Sequence, residues 1–347
     1  MLNSDTRSAD GTSTIAVVIP FYQRQTGILS RALHSIAAQK LAAQTRLLVI
    51  IIDDGSPLRA ADELQALRAS FPHDIILLEQ KNGGPGAARN SGIEEALRLE
   101  ARFVAFLDSD DEWAPVHLES AMQALTRDAS FYFCDHSRFE NSPSMFSSLK
   151  TIPELMRNSA AGAGVSSGYI LASSKQLTDG YLVEYLSQTS TVVYRLSAAP
   201  ELRFDTSLRG AGEDHLFWIQ LAILCNGAAI SPAVNSHCGR GVNIYFGALD
   251  WSRREAADRY GYRLLFWLKL QKIIKLDHAQ RFLVGHQART MQKAYAYLTL
   301  RNLLLGMRPR IDLLLQVTRH NPAFPIIAPF IALLVSTNVS KEALSWQ

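Results

Sequence analysis

FVAFLDSDDEW, residues 103–113, sets a short apolar run against three aspartates within four positions. A continuous apolar run of this length suits a strand buried on both faces, as in a parallel sheet. The abrupt change at Asp108 ends it. The same design recurs upstream. IAVVIP (15–20) stops at Phe21-Tyr22, LLVIII (47–52) stops at Asp53-Asp54-Gly55-Ser56, and a third run covers residues 75–79. Between these runs the spacing turns helical. Ile28, Leu29, Ala32, Leu33, Ile36 and Ala37 form one stripe, residues 60–69 a second helix, and NGGPG (82–86) leads into a third over 87–99. Alternating strands and helices predict an α/β fold with a doubly wound, mostly parallel sheet. Ligands of such sheets bind outside the carboxyl ends of the strands, where both acidic clusters fall.

Further along, a fifth strand is expected at 131–134. Residues 141–188 are rich in Ser, Gly and Ala, with only short helical stretches such as 152–156. A strand is expected at 191–195 and an apolar helix at 216–224. From Trp251 onward the pattern is helical, with Leu264, Leu265, Leu268 and Ile273 as an apolar stripe.

Composition narrows the function. With 347 residues, 48% hydrophobic and 19% charged, the chain reads as an ordinary globular protein. A net charge of +3 argues against a dedicated nucleic-acid binder. Three scattered cysteines, Cys134, Cys225 and Cys238, form no CxxC pair, so a reducing cytosol fits and neither a zinc knuckle nor a disulfide framework is supported. Residues 1–14 are polar without an apolar core, so no secretory signal is expected.

The aspartates suggest the chemistry. Two carboxylates two residues apart at a strand end, Asp108 and Asp110, can share a divalent cation and its bound diphosphate, with Mg²⁺ and Mn²⁺ equally suited to oxygen ligands. A solvated acidic turn is the plain alternative. Asp54 can accept a hydrogen bond from a base or a ribose, or serve in a strand-to-helix turn. The loop Gly83–Gly86, followed by Arg89 and Asn90, can bring backbone N–H groups and a cation to phosphates. A dinucleotide fingerprint would need those glycines after the first strand, ahead of the acid, and here the order is reversed. Gly212-Glu213-Asp214-His215 precedes an apolar helix, where an acid is either a first-turn residue or a general base. His237 and Arg240 offer a late metal ligand and a phosphate-binding cation.

In this order VVIPFYQR, VIIIDDGS, NGGPGAARNSGI, FVAFLDSDDEW and GEDHLFW resemble family 2 of the inverting GT-A glycosyltransferases. From Ser231 through GRGVNIYFG the chain looks similar to bacterial exopolysaccharide glucosyltransferases of the succinoglycan type. The resemblance implies a GT-A fold with a helical C-terminal extension. It assigns 15–135 to the nucleotide sugar, 136–250 to the acceptor, 251–347 to the helical extension and 1–14 to a flexible start. It also implies transfer of a hexose, glucose in the succinoglycan type, from a UDP-sugar to a hydroxyl of a glycan or lipid-linked oligosaccharide. Asp54 would contact the nucleobase between Pro20 and Tyr22, and Arg89 would lie near the phosphates. Asp108 and Ser109 would face the ribose or metal-bound water. Asp110 would ligate the metal, helped by Asp108 and His237, and Arg240 would meet phosphate or acceptor. Asp214 would be the base, with Glu213 shaping the acceptor site. The QxxRW motif of the processive synthases is missing, which favours single-sugar transfer.

Two other readings stay open from the residues. A nucleotidyltransferase would use a similar sheet, but with a glycine-rich basic loop where this chain has Pro20-Phe21-Tyr22-Gln23-Arg24. A non-catalytic nucleotide-sugar-binding protein at the membrane periphery would be expected to lose a metal carboxylate or the base. AFPIIAPFIALLV (323–335) is too short to span a bilayer, which takes roughly 20 apolar residues. Near Arg301, Arg308, Arg310 and Arg319, it suits either a buried helix or contact with the cytoplasmic face of the inner membrane.

Overall fold

A computed structural model of the chain describes residues 13–126, 129–138, 142–160, 165–166, 168–239, 250–251 and 253–337. These divide into two compact units, one within Met1–Thr206 and Phe217–Val242, the other within Ser207–Leu216 and Asn243–Gln347.

The first unit is built on a ten-stranded sheet. Its strands are β1 (Ser13–Phe21), β2 (Thr45–Asp53), β3 (Asp74–Glu79), β4 (Phe103–Phe106), β5 (Glu112–Trp113), β6 (Phe131–Arg138), β7 (Val165–Ser166), β8 (Tyr169–Ser173), β9 (Val193–Arg195) and β10 (Gly227–Cys238). The strand order is β3-β2-β1-β4-β9-β6-β10-β8-β7, with β5 paired to β10. From β3 to β4 every pairing is parallel, and beyond β4 only β6 with β10 is. The parallel part carries the unbroken apolar runs because helices α1 (Ile28–Ala37), α2 (Ala60–Leu67), α3 (Pro85–Arg98) and α4 (His117–Leu125) accompany those strands. Ile15, Val17, Val49, Ile51, Phe103 and Ala105 are buried in one core.

Chain order and sheet order part company at β1. The chain moves outward from β1 to β2 and β3, then returns to place β4 on the other side of β1. This is a topological switch point, where such sheets open a crevice at their carboxyl ends.

The stretch that reads as loose, 141–188, contains α5 (Thr151–Ala160), β7, β8 and α6 (Ser174–Tyr181), the last closed by a capping box of Ser173 and Gln176. Helix α7 (Glu213–Leu224) begins in the second unit and continues in the first. Its Phe217 stacks on Phe204, ring centroids 4.0 Å apart, beside Phe106, Tyr194 and Trp218. The remainder of the second unit is helical. It comprises α8 (Ala256–Ile273), α9 (His278–Leu304), α10 (Ile311–His320) and α11 (Phe324–Ser336), with α9 packed on α8, α10 on α8 and α11 on α9.

His117 lies wholly buried at the start of α4, stacked on Trp113 with ring centroids 4.5 Å apart. Burial lowers its pKa to about 3, and that of His136 to about 4. Both imidazoles are thus neutral in the fold and gain a proton on unfolding. Their contribution to stability is complete above the unfolded value of 6.5 and is lost as pH falls toward the folded values, by about 1.4 kcal/mol per pH unit for each ring. Urea denaturation at pH 7 and pH 5 is expected to show this loss, and His117→Phe, which keeps a ring against Trp113, should reduce the slope to the share of His136. An equal slope in the variant would remove His117 from the account.

Candidate active site

The carboxyl ends of β1 and β4 bring the first two motifs together. Leu107 N–H donates to the Val18 carbonyl (3.1 Å), and just beyond, the Gln23 side-chain amide donates to Ser109 Oγ (2.9 Å). Gln23 and Ser109 are both buried, and Gln23 also exchanges bonds with Ser56 in the turn after β2. One buried residue, bonding Ser109 through its side chain and Ser56 through its backbone N–H and carbonyl, therefore links three strand-end loops. Pro20 and Tyr22 are half-buried beside it in sequence.

The paired aspartates after β2 divide their work. Asp53 accepts from the backbone N–H groups of Ser56 and Ala60, both at 2.8 Å, and so anchors the start of α2. Asp54 accepts from Gln80 Nε2 (2.7 Å) and from the N–H groups of Gly83 and Gly84 (2.8 Å each). Here the structure differs from the expectation that these glycine N–H groups address phosphates: they are turned onto Asp54. Gly84 needs to be glycine because its φ is +89°. A carboxylate offers about four lone-pair sites, so Asp54 can still accept from a ligand. Asn90 also proves structural, exchanging two hydrogen bonds with the Phe204 backbone.

Arg89, on α3, is buried and donates to Asp108 Oδ1 at 2.7 Å, with its guanidinium 5.4 Å from the Phe204 ring centroid. A charge-assisted bond on one side and an aromatic face on the other hold this cation at the end of β4.

Below the Asp108-Ser109-Asp110 turn sits a hub that the periodicity of the sequence does not reveal. Asp111 is buried and accepts from Ser190 Oγ (2.6 Å), Gln188 Nε2 (2.9 Å) and Gly239 N–H (2.8 Å). Ser190 Oγ also accepts from Asp108 N–H (2.9 Å), and the Ser190 carbonyl accepts from Trp113 Nε1 (2.6 Å). Burial, and then the charges of Asp110 and Asp108, push the Asp111 carboxyl well above its ordinary range against the pull of Ser190 and Gly239. The only hint in the sequence is a third aspartate in the run.

Gly239 closes over this turn. A Cβ there would meet the Asp110 carbonyl oxygen at 1.9 Å, and backbone cannot step aside as a flexible side chain can. Gly239→Ala is therefore expected to lower unfolding free energy by about 1–3 kcal/mol, as overpacking does. It should also slow catalysis, because the Asp111 bond moves with the strand end. An unchanged denaturation midpoint would show that the approach is not maintained in solution.

His237, at the exposed end of β10, has Nδ1 2.7 Å from Ser137 Oγ. That contact orients the ring and leaves Nε2 as the nitrogen for a ligand. Among the described residues, no three His, Cys, Asp or Glu side chains converge into a metal cage, so Asp108, Asp110 and His237 are not a preassembled triad. The donor set still fits a hard divalent cation, because Asp108 and Asp110 offer carboxylate oxygens two residues apart in the half-buried turn after β4. Arg240 lies outside the described residues. Glu213 and Asp214 open α7 in the second unit, both half-buried, and Asp214 Oδ1 accepts from the following His215 N–H (2.7 Å).

A parallel βαβ half with an acid-lined switch point, continued by a mixed half, is the arrangement expected of a GT-A fold. Residues 16–167 match the profile of Glycosyl transferase family 2. The chain is 34% identical over 233 residues to the succinoglycan biosynthesis protein ExoW of Rhizobium meliloti, covering 67% of this chain and 70% of that one. The chain belongs to glycosyl transferase family 2 and is a transferase. Solved structures share the fold at low identity. Staphylococcus aureus TarS residues 1–349 in complex with UDP align with a TM-score of 0.55 at 14% identity, covering 96% of this chain and 92% of that one. The mannosyltransferase PcManGT of Pyrobaculum calidifontis, in complex with GDP-Man and Mn²⁺, aligns at 0.53 and 16%, covering 94% and 86%.

Proposed function

We propose that this glycosyltransferase moves a hexose from a UDP-sugar to a hydroxyl of a glycan or lipid-linked oligosaccharide, in bacterial exopolysaccharide assembly, with inversion at the anomeric carbon. The observation that carries the reading is the acidic turn at the switch point, where the buried Arg89 is paired with Asp108 at the end of β4, two residues before Asp110. The name of the Rhizobium relative supports the polymer class, and the nucleotides in the related structures support a nucleoside diphosphate sugar.

Asp54, with Pro20 and Tyr22, receives the base. Ser109, held by Gln23, and Asp108, held by Arg89, present oxygens to the ribose and diphosphate side of the donor. A bound Mg²⁺ or Mn²⁺, ligated by Asp110 with Asp108 and His237, would stabilise charge on the departing diphosphate. Arg89 adds a fixed positive charge in a site sheltered from water, where it acts more strongly than in bulk solvent. Asp214 takes the acceptor hydroxyl proton as that oxygen bonds to the anomeric carbon, and the carbon–phosphate-oxygen bond breaks on the opposite face. An α-linked donor thus yields a β-linked product, with UDP released. Glu213 shapes the acceptor side, and Arg240 contributes a cation to phosphate or acceptor.

Calorimetry of UDP and GDP, each with and without Mn²⁺, tests the donor. UDP binding that requires metal is the expected result. Preference for GDP would replace the base assignment, and no binding of either nucleotide would overturn the donor site. NMR of the product checks the stereochemistry, where a retained anomeric configuration would rule out single displacement.

A further inference from the structure

The helical unit concentrates positive charge. Residues 253–337 hold 14 Lys and Arg against four Asp and Glu, a net +10, in a chain whose total is only +3. The rest of the sequence is therefore net negative, and the asymmetry disappears in the whole-chain figure.

The same unit exposes an apolar face. Helix α11 contains no charged residue and packs inward through Phe324, Ala332 and Val335, with Phe324 stacked on Tyr295 at 5.4 Å. Its outward face presents Ile326, Phe330, Leu333 and Leu334, which are 72%, 69%, 67% and 72% exposed. Their spacing of four, seven and eight places them in one stripe. On α10, Ile311, Leu315 and Arg319 share an exposed face at spacings of four and eight, so apolar side chains and a cation lie side by side. The end of α9 and the turn that follows it add exposed Leu304, Leu305 and Arg308. Water contact with so much aliphatic surface is unfavourable, and patches of this kind mark interaction sites.

We propose that this face docks on an anionic lipid surface. The α11 stripe enters the boundary between headgroups and acyl chains, and exposed cations of the unit, Arg308 and Arg319 among them, lie against headgroup phosphates. Charge selects this occupant. A second copy of the chain would bring another +10 against the first. A nucleic acid would engage the cations yet leave Ile326, Leu333 and Leu334 in water, since its recognition works through phosphates and stacked bases. An anionic bilayer satisfies both features, the apolar stripe by burial and the cations by attraction. No helix among the described residues is long and apolar enough to cross a membrane, so the mode is attachment to the surface through this unit.

The test uses the full chain and reads binding, so it is independent of donor chemistry. Co-sedimentation is measured with phosphatidylglycerol–phosphatidylcholine vesicles and with pure phosphatidylcholine vesicles. The wild type is expected to bind the anionic vesicles at least about tenfold more tightly, with the difference removed at high salt. The triple variant Ile326→Ser, Phe330→Ser, Leu334→Ser should lose about tenfold or more in affinity while keeping its melting temperature. Arg308→Glu with Arg319→Glu should weaken binding to the anionic vesicles alone, as a second route if the triple variant fails to fold. Failure of the wild type to bind anionic vesicles overturns the proposal, as does equal binding by both variants. Light scattering that shows a dimer split by the triple variant, without vesicle binding, would assign the face to a second copy instead. Tight heparin binding indifferent to the triple variant, again without vesicle binding, would assign the charge to a polyanion.

Discussion

Asp110→Ala is expected to lower kcat/KM for sugar transfer by about a thousandfold and to abolish the metal dependence of UDP binding. The magnitude follows from removing a group that stabilises charge developing on the leaving diphosphate, where a single lost contact costs about 10²–10³ in rate and loss of a metal ligand more. The position is well suited to the test. Asp110 is half-buried in the turn after β4, its backbone is covered by Gly239, and the buried Asp111 holds the strand ends beneath it. The variant should therefore keep its denaturation midpoint, which separates a chemical role from a structural one. Mn²⁺-dependent UDP binding unchanged from wild type would remove Asp110 from the metal site.

Asp214→Asn should produce a different kinetic signature. An amide keeps the shape of the side chain and can still accept from His215 N–H, but it cannot take a proton from the acceptor. A general base contributes about 10²–10⁴ to the chemical step, so kcat is expected to fall within that range while the UDP dissociation constant stays put. Glu213→Gln, one residue earlier on the same turn, should instead raise the acceptor KM. If Asp214→Asn retains near-normal kcat and Glu213→Gln does not, the two carboxylates exchange roles. If both variants are fully active, the base lies elsewhere.

The two variants sample different kinds of sequence signal. The Asp110 turn follows a strand whose burial on both faces is written as unbroken apolar residues, so its place at a sheet end is legible from one short stretch. Asp214 opens an apolar helix, where the helix dipole favours an acid whether or not it does chemistry. Only the likeness to the family separates those two roles.

Much of the second half of the sheet escapes periodicity for physical reasons. Strand β10, which pairs with β5, β6 and β8, was not expected from the pattern because Pro232 and a polar end interrupt it. The register shifts between Ser231 and Val234, and again between Val234 and Ser236, show how the sheet absorbs that proline, through a bulge rather than a break. Segment 141–188 reads as loose because its elements are short and its helices half-exposed. It nonetheless ends in Gln188, and Gln188 and Ser190 support the acidic turn from 77 and 79 residues away.

What the sequence by itself determined is the run of local choices: which segments are buried strands, which helices follow them, where acids end the strands, and through family likeness the class of reaction. Those signals are local, since burial imposes a period of two or four residues and a turn needs particular side chains at adjacent positions. Tertiary structure alone decided the strand order that puts β4 beside β1, and the turning of the Gly83 and Gly84 N–H groups onto Asp54. It alone placed Asp111 under Gly239, 128 residues away, and left one side of α11 uncovered. These depend on which distant groups meet, and a buried hydrogen bond or a missing neighbour leaves no period in the chain.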